Sequence, residues 1–303
     1  MKQNQASRTA EYMALFRAIE SSRPSGIRLF EDQFAQEFLR PSLRTVATLS
    51  RMPIFNGLIT WLIDSRWPGA RSSGVARTRL IDDALVKALQ DGIDQVVILG
   101  AGFDCRAYRI PGIDRIRVFE VDHPSTLTVK RECLRRVLGE LPGHIAFAEI
   151  DFNHQRLEDV LAAVGFDASR RTFFIWEGVT NYLSEEAVDS TLRFISTSKV
   201  GSLLIFTYIH RGVLDDPAGF AGTHNLIQLL QKEDEPWTFG LYPTELTSYL
   251  GARGFELVDD IGSVDYRARY MNPRGRHMQG YAFYRIALAR VMHFDVSTFN
   301  EKV

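Results

Sequence analysis

Residues 94–110 read DQVVILGAGFDCRAYRI, and residues 118–124 read VFEVDHP. Val96 to Leu99 run without a polar break, the pattern of a central parallel strand covered on both faces. Gly100, Ala101 and Gly102 follow at once. Glycine there lets the backbone turn sharply and approach a ligand that a Cβ would exclude. Phe103 to Arg109 is expected to open a short helix whose free N–H groups face the same crevice. A second strand, Ile116 to Val121, ends at Asp122, with Glu120 two residues earlier. A carboxylate at that point can accept from both hydroxyls of a ribose, and it follows the first glycine at the usual interval of about 20 residues.

Two cofactor classes use such a turn. A nicotinamide dinucleotide needs a pyrophosphate cradle, normally G-x-G-x-x-G. Here Cys105 stands where the third glycine belongs, and Asp104 is a poor neighbour for a pyrophosphate. S-adenosylmethionine carries no phosphate, so a G-x-G followed by an acid suffices. It is the expected cofactor, with a nicotinamide-dependent reductase as the alternative.

The pattern around this turn divides the chain. Up to Leu89 it reads as helices: Ala6–Ser21, Asp32–Leu39, Leu43–Trp67 with a break near Pro53, and Val75–Leu89. From Gln95 onward strands near 96–100, 116–121, 145–150, 172–177 and 202–208 alternate with helices near 124–138, 155–164 and 185–198. That alternation predicts an α/β fold with a doubly wound, mostly parallel sheet. Phe255–Asp259 and Tyr281–Ala289 supply two late strands. Residues 1–91 are thus expected to form a helical lid on a cofactor-binding core of residues 92–303, with an insertion around 208–243 before a helix over Thr244–Leu250. The insertion contains IHRGVLDDP and EPWTFGLYP; a long aromatic connection inside a domain is often functional. Tyr208, Trp237, Phe239 and Tyr242 are its candidate substrate-pocket residues, unless these rings merely close the core.

LGAGFDCRAYRI, FEVDHP, the pair Asp151-Phe152 and WEGVTNYLS at 176–184 together resemble the leucine carboxyl methyltransferase family. The resemblance is closer to its bacterial branch of S-adenosylmethionine-dependent enzymes, which includes polyketide O-methyltransferases of the tetracenomycin type. It extends from RAIESSRP at Arg17 to YRIALARV ending at Val291. It implies a class I, Rossmann-like methyltransferase fold whose last strand is antiparallel and inserted beside its predecessor. It also implies cofactor contacts. Arg77 would pair with the methionine carboxylate, and Gly100, within the Gly100-Ala101-Gly102 turn, would lie beside the methionine. Asp122 would hold the ribose, Asp151 and Phe152 would read the adenine, and Glu177 would sit beside the amino group. Two positions depart from the family: Cys105 stands where Thr or Ser is common, and no lysine is found at the place where leucine carboxyl methyltransferases proper use one near the cofactor carboxylate, leaving Arg17 or Arg23 as stand-ins.

Residue type alone leaves other readings open. Arg77 could be a solvated arginine on an amphipathic helix, Asp151 a helix N-cap, and Glu177 a surface acid. Glu177, however, ends an apolar strand, where open α/β sheets place ligands. Tyr182 and Leu183 read as packing under the site.

The chain has 303 residues, 45% hydrophobic and 24% charged, with a formal net charge of -1. That balance is ordinary for a soluble enzyme and lacks a basic nucleic-acid footprint. Two cysteines, Cys105 and Cys133, without zinc-type spacing or a preceding signal sequence fit a cytoplasmic setting, and no metal site is expected. The most apolar window, Ile54–Ile63, is too short to span a bilayer and is interrupted by Asn56-Gly57, so it reads as a lid or core helix and no membrane partner is expected. The expected reaction is O-methylation of a carboxyl or hydroxyl group on a small-to-medium hydrophobic or aromatic, polyketide-like molecule. The alternatives are a protein C-terminal carboxylate as acceptor, or a cofactor-binding homologue without turnover. A carboxylate is already ionised at neutral pH, whereas a phenol benefits from a base. His210 and His224 are the candidates, His210 standing just past the fifth strand. The acceptor's identity and the oligomeric state are not legible.

Overall fold

A computed structural model describes residues 8–152, 154–232, 235–274, 276 and 278–292. Seven strands form one sheet: β1 (Gln95–Leu99), β2 (Arg117–Asp122), β3 (Ile145–Glu149), β4 (Thr172–Trp176), β5 (Leu203–Ile209), β6 (Phe255–Ile261) and β7 (Tyr284–Val291). Their order is β3-β2-β1-β4-β5-β7-β6. The first five are parallel, and β7 lies between β5 and β6, antiparallel to each. This is the doubly wound sheet expected from the sequence, with the last strand inserted as the resemblance implied.

Alternation explains the unbroken apolar runs. Val96 and Ile98 of β1 join one core with Phe173 and Ile175, while Val97 and Leu99 join the opposite core with Phe174 and Trp176. Each strand residue therefore lands on a covered face. Burying a side chain of this size contributes about 1.5–3 kcal/mol. Chain order reverses between β1 and β4, so the crevice beyond their carboxyl ends is a topological switch point. Gly100 and Glu177 are the first residues past those two strands, and this is where such sheets hold ligands.

The N-terminal part forms α1 (Arg8–Ser21), α2 (Pro41–Leu49), α3 (Pro53–Arg66) and α4 (Ala70–Gln90). Helix α4 starts five residues before the expected Val75 because its first turn is polar but buried. There Ser72 Oγ accepts the Gly280 N–H at 2.9 Å and Ser73 Oγ accepts the Tyr281 N–H at 2.7 Å. A Cβ on Gly74 would lie 2.3 Å from Met13 Cε, so a side chain there would have to displace the end of Met13 where α1 packs on α4. The helix expected over Asp32–Leu39 shrinks to a single 3₁₀ turn, Ala35–Phe38. Asp32 Oδ1 accepts the N–H groups of Phe34 and Ala35, each at 3.1 Å, and diverts the backbone.

Beyond the glycine turn come α5 (Arg106–Arg109), α6 (Pro124–Leu138), α7 (Leu157–Ala163), α8 (Glu185–Ser196), α9 (Gly212–Asp215), α10 (Thr223–Lys232) and α11 (Leu246–Gly251). Helix α6 contributes Lys130 to a wholly buried pair, its Nζ 2.9 Å from Glu120 Oε2. Tyr108 donates to the same oxygen at 3.2 Å. Burial pushes the Glu120 carboxyl up to about 7 against the pull of Lys130. Glu120 is thus a structural acid, and Asp122 alone of the two reaches the crevice.

Lys130→Met removes the partner and leaves a carboxyl that folds best when protonated. Such a group stabilises the fold at low pH and loses that contribution as pH rises through its folded value. The variant's unfolding free energy is expected to fall steadily from about pH 5 to about pH 8, reaching a deficit of about 3–5 kcal/mol. Denaturant titrations at several pH values check this; a deficit independent of pH would contradict it.

Candidate active site

The glycine turn is held from three directions. Ala101 N–H donates to Val121 O at 2.9 Å, locking the turn to the end of β2. Gly102 N–H donates to Asp122 Oδ2, and His123 N–H donates to Asp122 Oδ1 at 2.6 Å. Each carboxylate oxygen keeps lone-pair capacity for a hydroxyl. Burial pushes this carboxyl above the usual range, although the N–H groups of Gly102 and His123 pull the other way. Gly100 has a φ of +64°, and a Cβ there would lie 2.2 Å from Val179 Cγ2. Glycine is therefore required at this position by conformation and by the close approach of the chain that follows β4.

Asp104 changes the expected picture of the next helix. Its Oδ1 accepts the Arg106 N–H at 2.7 Å, so the helix begins only at Arg106 and its first donor is taken by a carboxylate. The free N–H groups expected to face the crevice are not available there in that form. A pyrophosphate would meet Asp104 and Glu177 beside the turn. A phosphate-free nucleoside with a cationic centre would not be repelled.

Arg106 organises the far wall. It is 2% exposed and forms ion pairs with Asp82 at 2.8 Å, Glu177 at 2.7 Å and Asp104. Glu177 also accepts Arg77 Nε at 2.7 Å. Burial opposes ionisation of Glu177, but Arg106 and Arg77 outweigh it and hold the carboxyl below its ordinary range. Arg77 is buried, with its guanidinium carbon 5.0 Å from the centroid of the Tyr284 ring. It is therefore not the solvated arginine that residue type allowed. Its terminal nitrogens have no acceptor among the described residues, which suits a carboxylate ligand. Arg106 was not singled out from the sequence; its signal was an arginine two residues after an acid inside the glycine loop.

Asp151 and Phe152 follow β3 at the same sheet edge. Asp151 is not the N-cap of α7, which begins at Leu157 after Arg156; its carbonyl instead accepts the N–H groups of His154 and Gln155. Phe152 packs against the core that includes Ile150 and Leu157. Of the stand-ins for the absent lysine, Arg17 is buried, pairs with Asp32 at 2.8 Å and donates to the Phe103 carbonyl within the glycine loop. Arg23 pairs with Glu20 at 3.5 Å.

Arg77 and Gly178 also border an apolar cavity of about 490 Å³. Its walls come from α1 (Tyr12, Met13, Phe16), α3 (Ile59, Leu62, Ile63), α10 (Leu226, Leu229, Leu230) and from Trp237, Tyr281 and Tyr284. Tyr182 lines it too, contrary to its expected role in packing alone. The Trp237 indole lies against the Tyr182 hydroxyl, and the buried Tyr281 Oη has no hydrogen-bond partner among the described residues.

Of the four expected substrate-pocket residues, Trp237 alone lines this cavity. The other three are corrected by their surroundings. Tyr208 is wholly buried and its hydroxyl donates to Asp260 at 3.0 Å. Phe239 is buried in the core with Leu241 and Leu246. Tyr242 is exposed and donates to Asp215 at 2.7 Å. Position along an aromatic segment does not say which ring turns inward; the leucines of α10, spaced at 226, 229 and 230, carried the better signal. His210 does not line the cavity either. Its Nδ1 accepts the Gly212 N–H at 3.0 Å, and its ring meets Phe220 and Tyr242. The side chain of His224 lies outside the described residues. Among the described residues no group of three or more His, Cys, Asp or Glu could hold a metal ion.

A model of the leucine carboxyl methyltransferase family matches residues 10–196. A provisionally named S-adenosyl-L-methionine-dependent methyltransferase of Frankia alni is 32% identical over 238 residues, 77% of this chain and 80% of its own. A similarly named protein of Streptomyces coelicolor is 32% identical over 245 residues, covering 77% and 81%. A provisionally named methyltransferase of Thermobifida fusca aligns structurally over 96% of this chain and 97% of its own, with a TM-score of 0.58 at 18% identity. A DUF574 family protein of Streptomyces avermitilis aligns over 94% and 98%, with a TM-score of 0.54 at 14% identity. At such identities the structural likeness is one of fold, and the fold is that of class I methyltransferases. The chain belongs to the leucine carboxyl methyltransferase family and is a methyltransferase.

Asp122→Ala is expected to weaken binding of S-adenosylhomocysteine by about 1–3 kcal/mol, the range for losing a charged acceptor. Calorimetric titration of the variant against the wild type measures it. Unchanged affinity would show that the ribose lies elsewhere.

Proposed function

We propose that the protein transfers the methyl group of S-adenosylmethionine to a carboxylate oxygen of a small-to-medium apolar molecule seated in the cavity. The cofactor is that of the family, and the residues at the switch point fit it. Asp122 suits the ribose hydroxyls, Asp151 and Phe152 the adenine, Arg77 the methionine carboxylate and Glu177 its ammonium. When bound, the cofactor supplies a methyl group activated on a sulfonium. The protein's own part is alignment and exclusion of water.

One observation carries the choice of a carboxylate. The cavity's described lining contains no Asp, Glu, His, Lys or Cys. Burial, with the neighbouring Tyr284 adding to it, pushes the Tyr182 hydroxyl up to about 12, so that phenol is no base at neutral pH. Glu177 is held ionised between two arginines and is a weak proton acceptor. A nucleophile here must arrive already ionised, which a carboxylic acid does and a phenol does not. The apolar walls favour a hydrophobic body over a polar peptide.

Production of S-adenosylhomocysteine across matched pairs of aryl carboxylic acids and phenols, together with a peptide ending in a free carboxylate, tests this reading. Methyl ester formation on hydrophobic acids, with phenols slower by at least about 100-fold, the low end for a missing general base, is the expected outcome. Preferential methylation of phenols would overturn it. Cofactor binding without transfer to any acceptor would instead favour a non-catalytic role.

A further inference from the structure

Helix α3 has an unusual surface. Seven of the fifteen large apolar side chains exposed among the described residues lie between Leu49 and Leu62. Ile54 is 85% exposed, Trp61 63% and Leu58 51%. The opposite side of the same helix, through Ile59 and Ile63, lines the apolar cavity. The polar row Asn56, Thr60 and Asp64 runs between these two apolar sides, and an apolar helix face is normally buried. Clusters of this kind mark interaction sites, whereas scattered single residues do not.

The charges around the patch say what covers it. Arg51 lies just before α3 and Arg66 ends it. Arg51 donates to the neutral side chain of Gln36 at 2.7 Å, and Arg66 sits 5.7 Å from the centroid of the Trp67 ring. Neither has a carboxylate partner among the described residues. The helix's one acid, Asp64, is taken by Arg71 at 3.0 Å. The patch is thus an apolar strip with an unneutralised arginine at each end and two tryptophans at or beside it. Pairing with a second copy about a two-fold axis would set arginine against arginine, whether the helices ran parallel or antiparallel. A surface of phosphates over an apolar layer satisfies the arginines and the strip together.

We infer that the outer face of α3, flanked by Arg51 and Arg66, docks on the surface of an anionic phospholipid bilayer. The helix lies in the headgroup region and does not span it; no helix among the described residues is long and apolar enough to cross a membrane. Docking places the outer wall of the cavity against lipid, the phase in which an apolar acceptor concentrates. The docking itself does not depend on the acceptor reading, so the two stand or fall separately.

Co-sedimentation of the full chain with phosphatidylcholine vesicles, with and without phosphatidylglycerol, tests the inference. Partitioning is expected onto the mixed vesicles, to be weaker on pure phosphatidylcholine, and to decline as salt is raised. Ile54→Ser with Trp61→Ser, which touch neither cavity nor cofactor residues, should lower partitioning by at least about tenfold. Arg51→Gln and Arg66→Gln should each lower it about fivefold without altering thermal unfolding. Equal binding to the two vesicle types, or none to either, would overturn the inference. So would a dimer in sedimentation velocity that Trp61→Ser dissolves and that ignores vesicles, since a second copy would then cover the face.

Discussion

The arrangement depends on one buried guanidinium. Arg106 ties together three carboxylates from three places in the chain: Asp82 on α4, Asp104 in the glycine loop and Glu177 at the end of β4. The network extends through Arg109 to Asp82 and Asp32, through Arg17 to Asp32, and through Arg77 to Glu177. Four arginines face four carboxylates, so the cluster carries no net charge. Desolvating so many ions is tolerable only because each has an opposite neighbour at hydrogen-bonding distance. Removing Arg106 would take from Asp104 its one ion pair among the described residues and from Glu177 and Asp82 one of two.

That constraint connects the N-terminal helices to the sheet at its switch point. Arg77 and Asp82 both come from α4, whereas Glu177 and the glycine turn come from the sheet's switch point. The same residues that hold α4 against the sheet thus set the charge pattern of the crevice. They present carboxylates beside the turn, where a dinucleotide would need open N–H groups. They also leave the terminal nitrogens of one arginine facing the apolar cavity. The neighbouring cavity is the complement of this: beyond Arg77 its walls are mainly apolar side chains, with Arg40 the other charged residue among its described lining.

Much of this was legible in the sequence wherever the chain's own periodicity governs. Strands β1, β4 and β5 are buried on both faces and read as apolar runs, and the boundaries of β1 to β5 moved by one or two residues at most. The glycine turn and Asp122 declared themselves by spacing. Legibility failed where a side chain captured nearby backbone. Asp32 cut a helix to one turn, and Asp104 delayed the start of α5. It failed again where polar residues were buried by distant partners, as Ser72 and Ser73 are by the backbone of Gly280 and Tyr281. Orientation within the 208–243 connection was also invisible, because alternation gives no face to an irregular segment. Tyr208, Phe239 and Tyr242 therefore turned away from a cavity that Trp237 and the α10 leucines line.

The central claim is that the crevice at the β1–β4 switch point accepts an S-adenosyl nucleoside and rejects a dinucleotide phosphate. Isothermal titration of the wild-type protein with S-adenosylhomocysteine, and separately with NADH and NADPH, tests it directly. The account predicts saturable heat at one site per chain for the first ligand and no heat for the other two. Saturable binding of a nicotinamide dinucleotide with silence toward S-adenosylhomocysteine would contradict it.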